Sequence, residues 1–160
     1  MRLQLEKVFK NTLFVVYGCA SHYFNLVGQD IVNQLGADSI MKHIIEVQKY
    51  FRNHHQLGAW LKEFENSIKP QLPGETRWNS QLVCLETFLK NREFFLKIVD
   101  DHEDDIDIKI VRIINNVNLY KEAKSLHSQL QPISAALNKV STGRSNLFSF
   151  FLVFTIQLQI

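Results

Sequence analysis

The sequence predicts a mainly α-helical protein with one or two strands, and three observations support this fold class. Apolar residues recur every three or four positions over most of residues 22–140, which is the spacing of one helix face. Only residues 12–17 form a β-branched and aromatic run typical of a buried strand, and the apolar residues 150–156 are its candidate partner. With 6 Gly and 3 Pro in 160 residues, a linker-rich or broadly disordered chain is excluded.

Length and composition indicate one domain with its own hydrophobic core. Hydrophobic residues make up 46% of the chain and charged residues 21%, which is ordinary for a globular protein. The 2 cysteines are too few for a disulfide scaffold, so we expect a reducing compartment. The 12 Phe give the helical pattern a heavily aromatic core.

A helix is predicted over residues 22–35, followed by a turn. The apolar residues of this segment lie on one face, and Gly36 is a helix stop signal. Asp38 or Ser39 is expected to cap the next helix, because either side chain can accept a hydrogen bond from a free N–H in the first turn.

The next predicted helix extends over residues 40–68, and Gly58 is interpreted as a bend within it rather than an end. The residue before a proline disfavours the α conformation, so this helix is expected to stop before Lys69 and Pro70. The polar residues 70–76 then form the clearest loop of the sequence.

Two further helices are predicted in the second half of the chain. The first opens at Arg77, and its core face runs from Leu82 to Val99. It is expected to end at the acidic segment that follows, because negative charge is unfavourable at a helix C-terminus. The second carries apolar residues over 110–130, and Pro132 is expected to break or kink it.

The charges are unevenly distributed. Residues 100–107 hold six of the 16 acidic side chains and no Lys or Arg, so the remaining chain carries 18 basic side chains against ten acidic ones. We interpret the acidic segment as a solvated loop between helices, since it lacks the Gly and terminal Glu of a calcium loop. The asymmetry permits a surface that faces a polyanion, but it does not establish one.

Cysteine and histidine residues are the candidate metal ligands. Cys19 and His22 have the Cys-x-x-His spacing that lets a thiolate and an imidazole meet, but a structural zinc site needs four ligands. We therefore predict no metal site, with Cys84 as an inert core residue on an apolar helix face. In the pair His54 and His55, one ring is expected to be half-buried and the other solvated.

Arg77 and Trp78, which follow a Pro-Gly turn, are the candidate nucleic-acid contacts. A Trp at a helix start can stack on a nucleobase, and cationic Arg77, Lys69 and Arg92 can contact phosphates. The alternative is that Trp78 packs under the loop as a structural residue.

Two motifs, taken in their order and separation, resemble segments of the hAT-superfamily transposases. Residues 17–26, which contain Cys19 and His22 and end in Asn-Leu, resemble the Cys-x-x-His segment of that superfamily. Residues 72–80 are similar to its Thr-Arg-Trp motif, which opens a helical insertion. A weaker similarity covers residues 131–137, so the resemblance extends over about residues 1–140.

The resemblance implies an RNase H-like fold with an all-α insertion and cut-and-paste DNA transposition. In that family an Asp-Asp-Glu triad holds Mg²⁺ or Mn²⁺ for two-metal phosphoryl chemistry. The resemblance implies that Trp78 stacks on a flipped-out base and that Cys19 and His22 lie close to the active site. It also implies a nuclear protein with DNA as a partner; without it we would expect a cytoplasmic one.

The sequence departs from the family in its acidic residues. Both catalytic Asp residues of the family precede the Cys-x-x-His segment, whereas the first Asp residues here are Asp30 and Asp38. The third acid should follow the insertion, where this chain instead continues as the apolar residues 147–156. We therefore predict a chain that is not an enzyme, with no catalytic residues and no bound cofactor.

The predicted organisation has three parts. Residues 1–36 are a partial RNase H-like segment, residues 37–140 belong to the helical insertion, and residues 141–160 are an unrelated apolar tail. The apolar run in this tail is well short of the about 20 residues that span a bilayer, so no membrane association is expected. The predicted function is that of a truncated transposase-derived protein with weak, non-specific DNA binding, which can associate with itself or with full-length relatives. The alternative is a helical protein-interaction module without nucleic-acid binding.

Overall fold

The computed structural model describes residues 36–74 and 79–141, together with Leu26, Asp30 and Asn33. These residues form five α-helices: α1 Ala37–Asn53, α2 His55–Glu63, α3 Asn79–Asp101, α4 Ile108–Ile114 and α5 Val117–Ser141. A short 3-10 helix, Glu103–Asp105, joins α3 to α4. No strand occurs in this part of the chain, so the mainly helical class is confirmed. The predicted strand at residues 12–17 and the apolar tail lie outside the described residues, and the RNase H-like assignment stays a prediction.

The pairing of α1 with α3 forms the centre of the fold, because each of these two helices contacts all four other helices. Phe51 of α1 lies against Phe95 of α3 with ring centroids 4.4 Å apart, and Phe88 lies 6.2 Å from Phe95. The apolar face predicted for α3 is confirmed, since these predicted core residues are buried: Leu82, Leu85, Phe88, Phe95 and Val99. The other two, Leu89 and Leu96, are partly buried against the core.

Polar contacts fix the alignment of the helices around this core. Gln48 of α1 is fully buried, and its Nε2 donates to the backbone carbonyl of Cys84 in α3 at 2.7 Å. At the start of α3, Asn79 Oδ1 accepts a hydrogen bond of 2.8 Å from the hydroxyl of Ser134 in α5. A buried hydrogen bond stabilises the fold only when its distance and angle are correct. These contacts therefore favour one alignment of the apolar helix faces.

An aromatic stack joins α2 to the end of α3. The Trp60 indole and the His102 imidazole are almost parallel, at 3° and with centroids 3.7 Å apart. His102 lies within the acidic segment, immediately after the last residue of α3. The stack therefore ties the acidic segment to the second helix.

The helix predicted over residues 40–68 is interrupted at His54 and not at Gly58. His54 has an extended backbone, with φ −98° and ψ 113°, and it separates α1 from α2. The Tyr50 carbonyl accepts hydrogen bonds from both the backbone N–H and the ring Nδ1 of His54, at 3.2 and 2.8 Å. The backbone N–H of His54 thus keeps its helical bond although its ψ angle ends α1, and Gly58 makes an ordinary helical hydrogen bond to the His54 carbonyl at 2.9 Å.

This stretch of helix also ends earlier than predicted. It stops at Glu63, because Phe64 turns to an extended conformation and stacks on Phe94 of α3 at 4.9 Å. The expectation that the helix continues to Ile68 is therefore wrong. The backbone beyond Phe64 is bound instead by a side chain of α3, described below.

The start of α1 differs from the prediction of a side-chain cap. The N-cap position is Gly36, with φ 61° and ψ 26°, and no side chain caps it. Neither Asp38 nor Ser39 takes this role, because Ala37 is already helical and Asp38 lies in the first turn. There its negative charge still favours the helix N-terminus. The predicted stop at Gly36 agrees with its left-handed backbone, which glycine adopts without strain.

The helix predicted over residues 110–130 consists of two helices. Asn115 ends α4, and the side chain of Asn116 accepts a hydrogen bond of 3.0 Å from the Leu119 N–H in the first turn of α5. Leu119 is buried, while Val117, one of the apolar residues within the predicted 110–130 stretch, is 55% exposed. Pro132 does not break α5, which continues through it, since buried residues on both sides keep this helix packed on α3.

The acidic segment ends α3 as predicted, and its six carboxylates are exposed. One detail was not predicted: Asp107 caps α4, with Oδ1 accepting a hydrogen bond of 2.7 Å from the Lys109 N–H. The same residue donates its backbone N–H to the Tyr50 hydroxyl at 3.0 Å. A second link to α1 is the ion pair of Lys109 with Glu46. The segment is therefore solvated but attached at both ends.

Replacing Phe95 with alanine is expected to lower the free energy of unfolding by about 3 to 5 kcal/mol, because the cavity would lie between α1 and α3. Urea denaturation followed by circular dichroism measures this change. Val83→Ala on the same helix is the control, since Val83 is 42% exposed and its truncation should change stability by no more than about 0.5 kcal/mol. Equal losses in both variants would contradict the described core.

Candidate functional site

The loop of residues 64–74 leads from α2 to α3 and is held by one buried side chain. Asn91 of α3 is fully buried, and its Oδ1 accepts the Ile68 N–H at 2.9 Å. Its Nδ2 donates to the Ile68 carbonyl at 2.5 Å. Because the amide satisfies both backbone groups of one residue, it fixes the loop at this point much as a strand partner would.

A second anchor closes the other end of the loop. The Ser80 hydroxyl accepts the Gly74 N–H at 2.8 Å and donates to the Gly74 carbonyl at 3.2 Å. Residues 75–78, which contain Arg77 and Trp78, join Gly74 to the first described residue of α3. The sequence neighbours of the predicted DNA-contact pair are therefore fixed to the bundle on both sides.

The two described candidates for DNA contact have different environments. Lys69 is exposed on the anchored loop, next to Ile68. Arg92 is half-buried, its guanidinium carbon lies 4.2 Å from the centroid of the Tyr120 ring, and its Nε is buried without a hydrogen-bond partner among the described residues. Successive helix residues point about 100° apart, so Arg92 is directed towards α5 while Asn91 faces the loop. The structure therefore brings the backbone of the loop at Lys69 close to α3, but it does not bring the charges of Lys69 and Arg92 together.

The other predicted site residues lie outside the described residues. These are Arg77, Trp78, Cys19 and His22, and their roles stay predictions. Over the ranges 36–74 and 79–141, no group of three or more His, Cys, Asp or Glu side chains could hold a metal ion.

The histidines of α1 and α2 are surface residues. His54 and His55 are both exposed, so the prediction that one of the two rings is half-buried is wrong. The His54 ring lies over Tyr50, with centroids 4.0 Å apart, and His43 Nδ1 is 2.7 Å from the Ser39 carbonyl. The imidazoles of His43 and His54 thus each contact the backbone carbonyl one turn back.

The Cys84 thiol is fully buried in α3, which confirms it as a core residue. Burial raises the pKa of the thiol to about 11, and the hydrogen bond from Gln48 opposes part of this shift. The thiolate is the reactive form of cysteine, so a raised pKa together with burial leaves this group unreactive at neutral pH.

A feature that the sequence reasoning missed is a recess between α1, α2 and the loop, with a volume of about 250 Å³. We call it the basic recess. Its residues include three apolar side chains, Phe51, Leu61 and Ile68, and three cations, Arg52, Lys62 and Lys69. The three cations come from α1, α2 and the loop, and they line one recess because α1 ends at residue 53 and the chain turns back along it.

Comparison of the chain with models of protein families, with curated proteins and with solved structures finds no match. Among the helices of residues 36–74 and 79–141, none combines the length and the apolar character needed to cross a membrane.

The Asn91 anchor can be tested by Asn91→Ala, which leaves both backbone groups of Ile68 without their partner. We expect a loss of about 1 to 3 kcal/mol in unfolding free energy and faster hydrogen exchange at the Ile68 amide. Asn91→Asp keeps an acceptor for the Ile68 N–H but sets a buried carboxylate oxygen against the Ile68 carbonyl, so it should destabilise the fold at least as much as Asn91→Ala. Lys90→Ala, on the exposed side of α3, is the control. Unchanged exchange at Ile68 in Asn91→Ala would contradict the anchor.

Burial of Cys84 predicts a pH dependence. The unfolded thiol ionises near its ordinary pKa of 9.0, while burial raises the pKa of the folded thiol to about 11. Stability from this group is therefore complete below about pH 9 and is lost as the pH rises towards 11. The difference in unfolding free energy between the wild type and Cys84→Ala should fall by about 2 kcal/mol across this window. A difference that does not change with pH would show that the thiol is accessible to solvent.

Proposed function

We propose that this chain is a transposase-derived helical domain that contacts DNA weakly and non-specifically and does not cleave it. The resemblance of residues 17–26 and 72–80 to hAT-superfamily segments supports the origin. A nuclear location follows from the same resemblance.

The observation that carries the DNA-contact proposal is the double anchoring of the loop that precedes Arg77 and Trp78. Asn91 and Ser80 bind the loop backbone at Ile68 and Gly74, so Lys69 is presented from a fixed backbone. Binding through a fixed loop loses less conformational entropy than binding through a free one. This is the arrangement expected of a loop that holds charges for a ligand.

The proposed contacts divide into charge and stacking. Lys69 and Arg77 would neutralise phosphates, and Trp78 would stack on a base. Arg92, packed on Tyr120, would add its charge from a half-buried position without a direct contact to the backbone of the DNA.

A second candidate function, protein interaction, is favoured by the charge of the described residues. Over residues 36–74 and 79–141, Lys and Arg equal Asp and Glu in number, so the bundle has no excess of positive charge. Non-specific DNA binding depends on such an excess, whereas a protein partner requires only a local match of charge and shape.

The DNA proposal predicts salt-dependent binding of a labelled single-stranded oligonucleotide, measured by fluorescence anisotropy. Two phosphate contacts correspond to a slope of about −1.4 in a plot of log affinity against log salt concentration. Lys69→Ala should reduce the magnitude of this slope by about 0.7, because one phosphate contact is removed. Trp78→Ala should weaken binding by about tenfold or more at an unchanged slope.

Lys121→Ala, an exposed cation on α5, is the control for this series and should have little effect. Absence of binding at low salt would reject the DNA proposal, as would a Trp78→Ala variant that loses affinity only by unfolding. Cleavage of the oligonucleotide when Mg²⁺ is added would reject the statement that the chain does not cut DNA.

A further inference from the structure

We propose that the basic recess binds an acidic peptide segment of a partner protein, with one apolar side chain of the peptide as its anchor. The inference rests on the second candidate function, protein interaction, and gives that function a site and a ligand chemistry.

The size of the recess selects a single side chain as its occupant. Its volume of about 250 Å³ is below the roughly 300 to 1,000 Å³ typical of small-molecule sites. Phe51 and Leu61 are 1% and 2% exposed, so they close the bottom of the recess without offering surface of their own, and Ile68 at 37% stands at the rim. A leucine or phenylalanine side chain fills such a space, as anchor residues do at the centre of protein interfaces.

The charges around the recess select an acidic ligand. Arg52, Lys62 and Lys69 are exposed, and within the described part of the chain none of them forms an ion pair. Glu65 is the one carboxylate that lines the recess, so three cations face one anion. By contrast, Lys109 on the neighbouring face is paired with Glu46. Carboxylates of a peptide would provide the missing partners and would steer the peptide towards the recess.

The aromatic residues of the recess favour a peptide over a nucleic acid. The Phe64 ring stacks on Phe94 and lies under the ammonium group of Lys97, which is 5.7 Å from the ring centroid. The Phe51 ring packs on Phe95 in the core. Both rings are therefore already engaged, whereas proteins that bind single strands present open aromatic faces to the bases. An apolar side chain needs no open aromatic face, because it is stabilised by removing its own surface from water in the recess.

The probe for this proposal is a short fluorescein-labelled synthetic peptide with one leucine among aspartates and glutamates. We expect it to bind the full chain in an anisotropy titration, with affinity that falls as salt rises. A matched peptide with alanine in place of leucine should bind about tenfold more weakly or worse, because the alanine side chain removes less of its own apolar surface from water in the recess.

Two variants of the protein locate the binding to the recess. The double variant Arg52→Glu with Lys62→Glu should weaken binding of the leucine peptide by at least about tenfold. The control pair, Lys121→Glu with Lys124→Glu, changes the net charge equally on exposed positions of α5 and should have a much smaller effect.

A third variant fills the recess without changing its charge. A Cβ at Gly58 would lie 3.5 Å from the Phe51 carbonyl oxygen, which is an ordinary contact, and Gly58 lies within α2. Gly58→Ala is therefore expected to fold, and Gly58→Leu should occupy the recess and reduce binding by about tenfold or more. Circular dichroism of each variant confirms that the helices are retained.

The outcomes separate the proposal from the function on which it rests. Peptide binding that is equally weakened by the α5 control pair, or that does not depend on the leucine, overturns the recess as the site and leaves protein interaction standing. Failure of both peptides to bind overturns the acidic-peptide proposal itself. Displacement of the bound peptide by a single-stranded oligonucleotide whose binding is abolished by the recess variants would assign the recess to DNA instead.

Discussion

The pairing of α1 with α3 is the constraint on which the rest of the structure depends. Phe51 and Phe95 join the two helices through apolar contact, and Gln48 adds a buried hydrogen bond to the Cys84 carbonyl beside them. The apolar contact supplies most of the stabilising free energy, but it would also form if one helix were shifted along the other. The Gln48 amide makes its hydrogen bond in only one alignment of the two helices. Since α2, α4 and α5 each contact both members of the pair, their positions follow from this alignment.

The same central helix organises the surface. Asn91 is one position from Arg92 and faces a different element, so α3 binds the loop through one residue and α5 through the next. The backbone of Ile68 is not part of a helix, and the buried side-chain amide of Asn91 supplies both of its hydrogen bonds. As a result, the exposed cation Lys69 and the basic recess are both positioned by the hydrophobic core.

The sequence pattern predicts the buried faces of the helices well and their interruptions poorly. The spacing of Leu85 and Phe88 is sufficient to place them in the core, because helix periodicity is a property of many residues at once. The break at Asn116 involves a single side chain that binds a nearby backbone N–H, and the break at His54 is an extended conformation of one residue; neither has a periodic signature. The loop anchor joins positions 23 residues apart in sequence, and the recess requires three elements to meet, so neither appears in any local pattern. A polar residue on the apolar face of α3, Asn91, was the one available signal.

The stack of Trp60 on His102 makes the fluorescence of Trp60 sensitive to the position of the acidic segment. An indole in face-to-face contact with an imidazole has its emission altered by that contact, and here the imidazole belongs to the acidic segment. Any event that pulls residues 100–107 away from α2, including capture of their carboxylates by a cationic surface, must first separate the two rings. The light emitted by this tryptophan would then change even though the helical core stays intact.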